Sequence, residues 1–451
     1  MKKSFAFHLL LGIGLILPVS AHAETLQEAM LDAYKQNPTL QAKRVELRAV
    51  DETLAEALSG YRPTVSLDAN AGISKSDSNS SSLTSSNDDT LTPRAAALTV
   101  VQPLFRGGRT VAATNRAEFD IQSTRAELHQ TEQQILLSAV AAYMDVLHDR
   151  AVVELNQNNQ NVLERQLKAT EDRFTVGELS RTDVSQAESR VERAKAGVIT
   201  AQGQVATSQA RYERIVGHLP GPEINHPVAL TGLPASRQEA IEQAEKNNPQ
   251  IQSAIFREKS AKESVDEIRG LELPEVSLTG SVSSSWEQFR DGDQTDESSA
   301  LVQLSFPFYQ GGAVMARTRA AGEVANQRRL QLTEANRAVA ELAGSAWDDL
   351  ATARANIEAY QASIKAAEIA LEGVKQEQEV GSRTVLDVLD AEQELLDARV
   401  SLVLAQRNEV IASYALLAAV GRLTAQDLKL TDEIYDPMQH YKNTRTRWFG
   451  Y

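Results

Sequence analysis

Asp387 and Asp390 stand three residues apart, so any helix that holds them puts both carboxylates on one face. Acids this close repel each other, which raises their pKa values, and together they attract cations. Arg383 precedes Asp387 by four residues, the spacing of a helical ion pair worth ~0.5 kcal/mol. Taken alone, these side chains read as a solvated helix face. The neighbourhood is repeated, however: Val380-Gly381-Ser382-Arg383-Thr384, followed by Asp387, echoes Val176-Gly177-Glu178-Leu179-Ser180-Arg181-Thr182-Asp183. Asp183 and Asp387 could in principle be paired catalytic carboxylates. They occupy equivalent places in two copies of one turn, and no cluster of aromatic residues near them suggests a pocket. The seven His residues include no His-Glu-x-x-His, and the chain has neither Gly-x-Ser-x-Gly nor a phosphate-cradling glycine loop. With no Cys there is no thiolate metal site, no disulfide and no thiol to carry an N-terminal lipid. The expectation is a chain without catalytic residue, metal or cofactor.

The elements that position these residues follow from the glycines. Gly177 and Gly381 can end a helix in the left-handed conformation, and the Ser or Thr with an Asp shortly after can start the next. Each copy is a helix-to-helix turn. Helical composition runs unbroken from Gly108 to Gly177 and from Gly312 to Gly381, which at ~1.5 Å per residue predicts helices of about 100 Å. The returning segments, 178–217 and 382–421, reach only ~60 Å. Pro38 to Tyr61 and Pro249 to Leu271 are long enough to fill the difference, so each long helix should run beside two shorter ones stacked end to end. Leu350, Ile357, Ile364 and Leu371, with Ala353, Tyr360, Ala367 and Val374, are heptad a and d positions; Ile121, Leu128 and Ile135 repeat the spacing more weakly.

The duplication covers the whole chain. Asn37-Pro38 matches Asn248-Pro249 at an offset of 211, whereas Gly107-Gly108 matches Gly311-Gly312, and Asp183 matches Asp387, at 204. A seven-residue insertion between Leu67 and Pro103 accounts for the change, and the polar stretch Lys75 to Arg94 is the expected loop. The domain reading is a signal peptide over 1–23, a first repeat over 24–217, a Pro-rich linker over 218–235, a second repeat over 236–421 and a C-terminal tail over 422–451. Lys2 and Lys3, an apolar run and Ala21-His22-Ala23 make the signal peptide, so the mature chain should be exported and start near Glu24. Its removal takes the net charge from −15 to −17, which makes nucleic acid an unsuitable partner.

Each repeat holds one stretch of period two. Val65, Leu67, Ala69 and Ala71 alternate with polar residues before Ala95 to Phe105; Val276, Leu278, Gly280 and Val282 alternate, then Val302, Leu304, Phe306 and Phe308. These predict hairpins at 64–105 and 275–308, and about ten tilted residues span an outer membrane. Four strands cannot close a barrel, so a membrane reading requires several copies to share one. A soluble periplasmic coiled-coil adaptor or scaffold with small hairpins is the alternative.

Tyr61-Arg62-Pro63, Gln102-Pro103-Leu104-Phe105, the paired Val-Gly turns, Asp387-Val388-Leu389-Asp390, and Gly421-Arg422-Leu423 before Asp427-Leu428 resemble, in this order, a TolC-family outer-membrane channel. The resemblance covers nearly all of the mature chain. It implies a mostly α fold with a small β part: a homotrimer whose hairpins form one twelve-stranded barrel and whose helices form a periplasmic tunnel. It further implies an exit duct for efflux or type I secretion, working with a periplasmic adaptor and an inner-membrane pump of the ABC or RND type, and bathed by outer-membrane lipid. By the same resemblance Arg383 links to Thr182 and Asp183 of a neighbouring coiled coil to close the entrance, and Asp387 and Asp390 form the constriction, six carboxylates in a trimer. Gln378 stands where the family's prototype has a gate tyrosine, and Gln406 where it has a second lock arginine.

Overall fold

The computed structural model describes residues 23–76 and 89–448. The signal peptide expected over 1–23 lies, apart from Ala23, outside them, as does the middle of the 75–94 loop. Each half repeats one order of elements. In the first, α1 (Leu26–Gln36) and α2 (Pro38–Ser59) lead to β1 (Thr64–Ala71), a short ribbon of β2 (Ser74–Ser76) and β3 (Asp89–Leu91), and β4 (Arg94–Arg106); then come α3 (Arg109–Thr175) and α4 (Arg181–Val216). In the second, α5 (Arg237–Asn247) and α6 (Pro249–Arg269) lead to β5 (Glu275–Trp286) and β6 (Gln294–Ser305), followed by α7 (Ala313–Glu379) and α8 (Val385–Ala419). A last helix, α9 (Pro437–Arg445), lies in the tail.

The long helices α3 and α7 have 67 residues each, or about 100 Å. The Asn-Pro pairs explain how two short helices stack beside each. Asn37 caps α2 by accepting from the N–H groups of Thr39 and Leu40, Pro38 fills the first helical position where no N–H is needed, and Asn37 Nδ2 donates to the Ile215 carbonyl at the end of α4 (2.9 Å). Asn248 repeats this at α6, donating to the Ala419 carbonyl at the end of α8 (2.9 Å). One side chain thus satisfies the start of one helix and the orphan carbonyls of another. Among the heptad positions from Leu350 to Val374, Leu350, Ala353, Ala367 and Leu371 are buried and the rest half-buried. The main core gathers around Tyr143 and Tyr212, both fully buried, where α1, α3 and α4 meet. The Tyr143 hydroxyl, with its one proton to give, lies 2.6 Å from the Asn225 carbonyl and 2.9 Å from that of Glu24, which pins the irregular 218–236 stretch to the core.

The two hairpins join in one antiparallel sheet of order β1-β4-β5-β6. Its register pairs Leu67 with Leu98, Leu98 with Val282, Val65 with Val100, and Leu278 with Val302. Directly opposed residues share a face, so one face gathers most of the apolar residues, in rows such as Leu67-Leu98-Val282, and turns polar toward Ser298 and Asp296 of β6. The other carries Ser66, Thr99, Ser281 and Ser299 in one row and Asp68, Ser283 and Glu297 in the next. Two sequence expectations are corrected here. The hairpin at 275–308, whose polar middle from Trp286 to Ser298 reads from sequence as a long loop, has a short one: β6 begins at Gln294, because Thr295 and Glu297 belong to the polar face. The alternation through Phe306 and Phe308 is not strand, since β6 stops at Ser305 and Pro307 has no N–H to give a ladder. β1 and β6, at the two edges, have a free backbone side each. Among the described residues no helix is long and apolar enough to cross a membrane.

Candidate functional site at the helix tips

The far end of the helical body consists of two turns, α3 to α4 and α7 to α8. Gly177 (φ 85°) and Gly381 (φ 79°) take the left-handed conformation that ends each long helix. The N–H of Gly177 donates to the Phe174 carbonyl (2.9 Å) and that of Glu178 to the Arg173 carbonyl (3.0 Å); Gly381 and Ser382 do the same to Gln378 (3.1 Å) and Glu377 (2.9 Å). Gln378, the residue in the place of the expected gate tyrosine, thus supplies the carbonyl that closes the second turn, and its side chain is half-buried.

Both returning helices open with a capping box. Ser180 Oγ accepts from the Asp183 N–H (3.3 Å), while Asp183 Oδ2 accepts from the Ser180 N–H (2.9 Å) and hydroxyl (2.7 Å). Thr384 and Asp387 repeat the arrangement, at 2.8 Å from the Thr384 N–H and 2.7 Å from its hydroxyl. The hydroxyl, then the backbone N–H, holds each Asp below the ordinary carboxylate range. This runs opposite to the upward shift expected of crowded carboxylates. Within one chain the donors win, because they touch the charge while the nearest other acid does not.

Arg383 turns back on its own turn: Nε donates to Glu377 Oε2 (2.9 Å), and Nη1 lies 3.8 Å from Asp387 Oδ1. Thr182 is exposed at the start of α4. Asp390 is ion-paired with Arg190 of α4, a bond between the two coiled coils. That partner was missed in the sequence, though a signal exists. At the offset of 204, Asp390 answers to Gln186 and Arg190 to Glu394, so the repeat breaks where the halves must meet. The apolar residues of α8 also divide between them. Val385 and Leu389 pack with Leu163, Ala187 and Val191 of the first coiled coil; Val388 and Leu395 pack with Ala367 and Leu371 of the second. Higher up, Asp145 of α3 receives Arg407 of α8 (2.8 and 2.5 Å) and Arg211 of α4 (3.2 Å), clamping three helices beside Gln406. No group of acids and histidines suited to a metal occurs among the described residues. The two turns thus bring Asp183, Arg383, Asp387 and Asp390 to the same end of the helical body.

The outer membrane efflux protein family matches residues 30–218 and 240–422, one stretch per repeat. The outer membrane efflux protein BepC of Brucella suis is 35% identical over 451 residues, covering 100% of this chain and 96% of that protein. The outer membrane protein TolC of Escherichia coli is 28% identical over 424 residues, covering 90% and 84%. Among solved structures, the CmeC outer membrane channel of Campylobacter jejuni superposes with a TM-score of 0.80 at 14% identity, covering 93% of this chain and 89% of that one. The Vibrio cholerae outer membrane protein VceC gives 0.77 at 20% identity, covering 88% and 96%.

Proposed function

We propose, for a chain that belongs to the outer membrane efflux protein family, that three copies join edge to edge into one duct. The protein is an outer-membrane channel that extends into the periplasm and serves efflux or type I secretion as a passive exit. The observation that carries the trimer is the four-stranded sheet with one mainly polar face, one mainly apolar face and two bare edges. Three such sheets, β1 of each on β6 of the next, make a twelve-stranded barrel with lipid outside and water within. Packing of α2 on α3, α3 on α6 and α6 on α7 sets the wall beneath in the same order as the strands. Asp387 and Asp390 ring the axis and draw cations in. Arg383 exchanges its bond to Glu377 for Thr182 and Asp183 of the neighbouring subunit when the entrance closes. Gln378 holds the turn in the gate tyrosine's place. A periplasmic adaptor and an inner-membrane pump engage the tips, and no covalent chemistry is performed.

The chain has no cysteine, so introduced ones report only the contact they were placed to test. Leu67→Cys on β1, combined in turn with Ala300→Cys, Val302→Cys and Leu304→Cys on β6, should give on oxidation a covalent ladder that ends at three chains. A ladder that stops at two, or continues past three, would sink the shared barrel.

A further inference from the structure

We propose that the C-terminal segment 437–448 is a membrane-surface anchor that binds anionic phospholipid headgroups of the periplasmic leaflet. From Pro437 to Tyr451 the sequence has Lys442, Arg445 and Arg447 and not one Asp or Glu, in a chain of net charge −15. Nothing in the duct reading calls for that reversal of sign.

The segment is fastened to the helical wall and ends at the level of the sheet. His440 Nδ1 lies 3.2 Å from Asp51 Oδ2 on α2, the Thr444 hydroxyl meets Glu52 (3.3 Å), and the Arg125 guanidinium of α3 sits 4.7 Å from the Tyr441 ring centre. Beyond α9, Arg62 stacks on the Trp448 ring (4.7 Å) and donates to the Arg447 carbonyl (3.1 Å). Arg62 is two residues before β1, where wall gives way to sheet.

The side of the wall follows from α3. Ala113, Ala117, Asp120 and Thr124 line a cleft together with Arg106, which pairs with Glu275 on the polar face of the sheet. Glu118 and Arg125, which meet Tyr441, stand roughly 120–140° around the helix from that cleft. The segment therefore continues the apolar side of the sheet. Phe105, on that face opposite Val276, is exposed at the same junction, as are Phe306, Phe308 and Tyr309. Lys442, Arg445 and Arg447 are exposed, and Trp448 is 60% exposed. Aromatic rings seated at headgroup depth beside cations that pair with lipid phosphates are what a membrane surface selects.

This inference rests on the sheet being the membrane-spanning part, so the experiment separates the two. The full-length protein carrying Trp286→Phe and Trp347→Phe, which leaves Trp448 as its single tryptophan, is reconstituted in nanodiscs of phosphatidylcholine with or without phosphatidylglycerol, using lipids brominated near the headgroup. Trp448 fluorescence should be quenched, and more strongly with phosphatidylglycerol. Lys442→Gln with Arg445→Gln and Arg447→Gln, all at exposed positions, should lower the anionic-over-zwitterionic lipid ratio retained by detergent-purified wild-type protein by about tenfold or more. A Leu67→Trp probe on the apolar face, in a chain with the other tryptophans replaced by Phe, serves as the control for insertion. Quenching of that control without quenching of Trp448 would overturn the anchor alone; a control left unquenched would remove the duct reading with it. An unchanged lipid ratio in the triple variant would also overturn the anchor.

Discussion

Arg383 has two sets of partners within reach of its role, and they make opposite demands. In the single chain it bonds Glu377 and stands near Asp387; in the proposed closed duct it would bond Thr182 and Asp183 of the next subunit instead. Arg383→Glu puts three acids on one turn and removes the link to the neighbour, so the entrance should open and single-pore conductance in a planar bilayer should rise. Asp183 is a poor site for the compensating charge, because its carboxylate already caps α4. Thr182→Arg leaves that box intact and should return the double variant to low conductance; failure to do so would place the lock elsewhere. The caps carry their own pH dependence. Asp183 and Asp387 are depressed in the folded chain by the hydroxyl and N–H donors of Ser180 and Thr384. Their contribution is therefore complete above the ~3.9 of an unfolded Asp and is lost as pH falls through the lower folded value. Amide exchange at Asp183 and Asp387 should accelerate relative to mid-helix α3 amides below about pH 4. Persistent protection there would mean that the caps do not hold the tips.

Among the elements, the seams and the hairpins place different demands on sequence. Leu371 is 6% exposed in the α7 and α8 seam, and Leu371→Ala should cost about 2 to 4 kcal/mol, read as a lower melting temperature with the pore still formed. The long helices, their turns and the Asn-Pro junctions were legible because each depends on local chemistry: glycine at positive φ, a capping Asp, proline at a first turn. The strand ends were not. Strands with one polar face, such as the end of β5 and the start of β6, carry Ser, Thr and Glu at Ser283, Ser285, Thr295 and Glu297, and such residues read as a loop unless the cross-strand register is known. The Arg190 to Asp390 pair was hidden for a related reason. It joins residues 200 positions apart, and only the broken repeat hints at it.

At the scale of the whole molecule, charge decides what the duct passes first. With a net charge of −15 on each chain and acids at the tips, the open pore should prefer cations over anions, and the preference should weaken as salt screens it. Asp387→Asn with Asp390→Asn should reduce the reversal-potential shift in a salt gradient and the block by multivalent cations; unchanged selectivity would remove those two from the constriction. The bare edges of β1 and β6 also govern time. In the proposed three-chain barrel, two chains joined head to tail still present one β1 and one β6 edge, so the pair is as adhesive as a lone chain, and only the third arrival would remove both. Assembly therefore has no resting place between synthesis and completion. A scarce chain waits longest in its most aggregation-prone form, which makes the rate of production itself a determinant of folding yield.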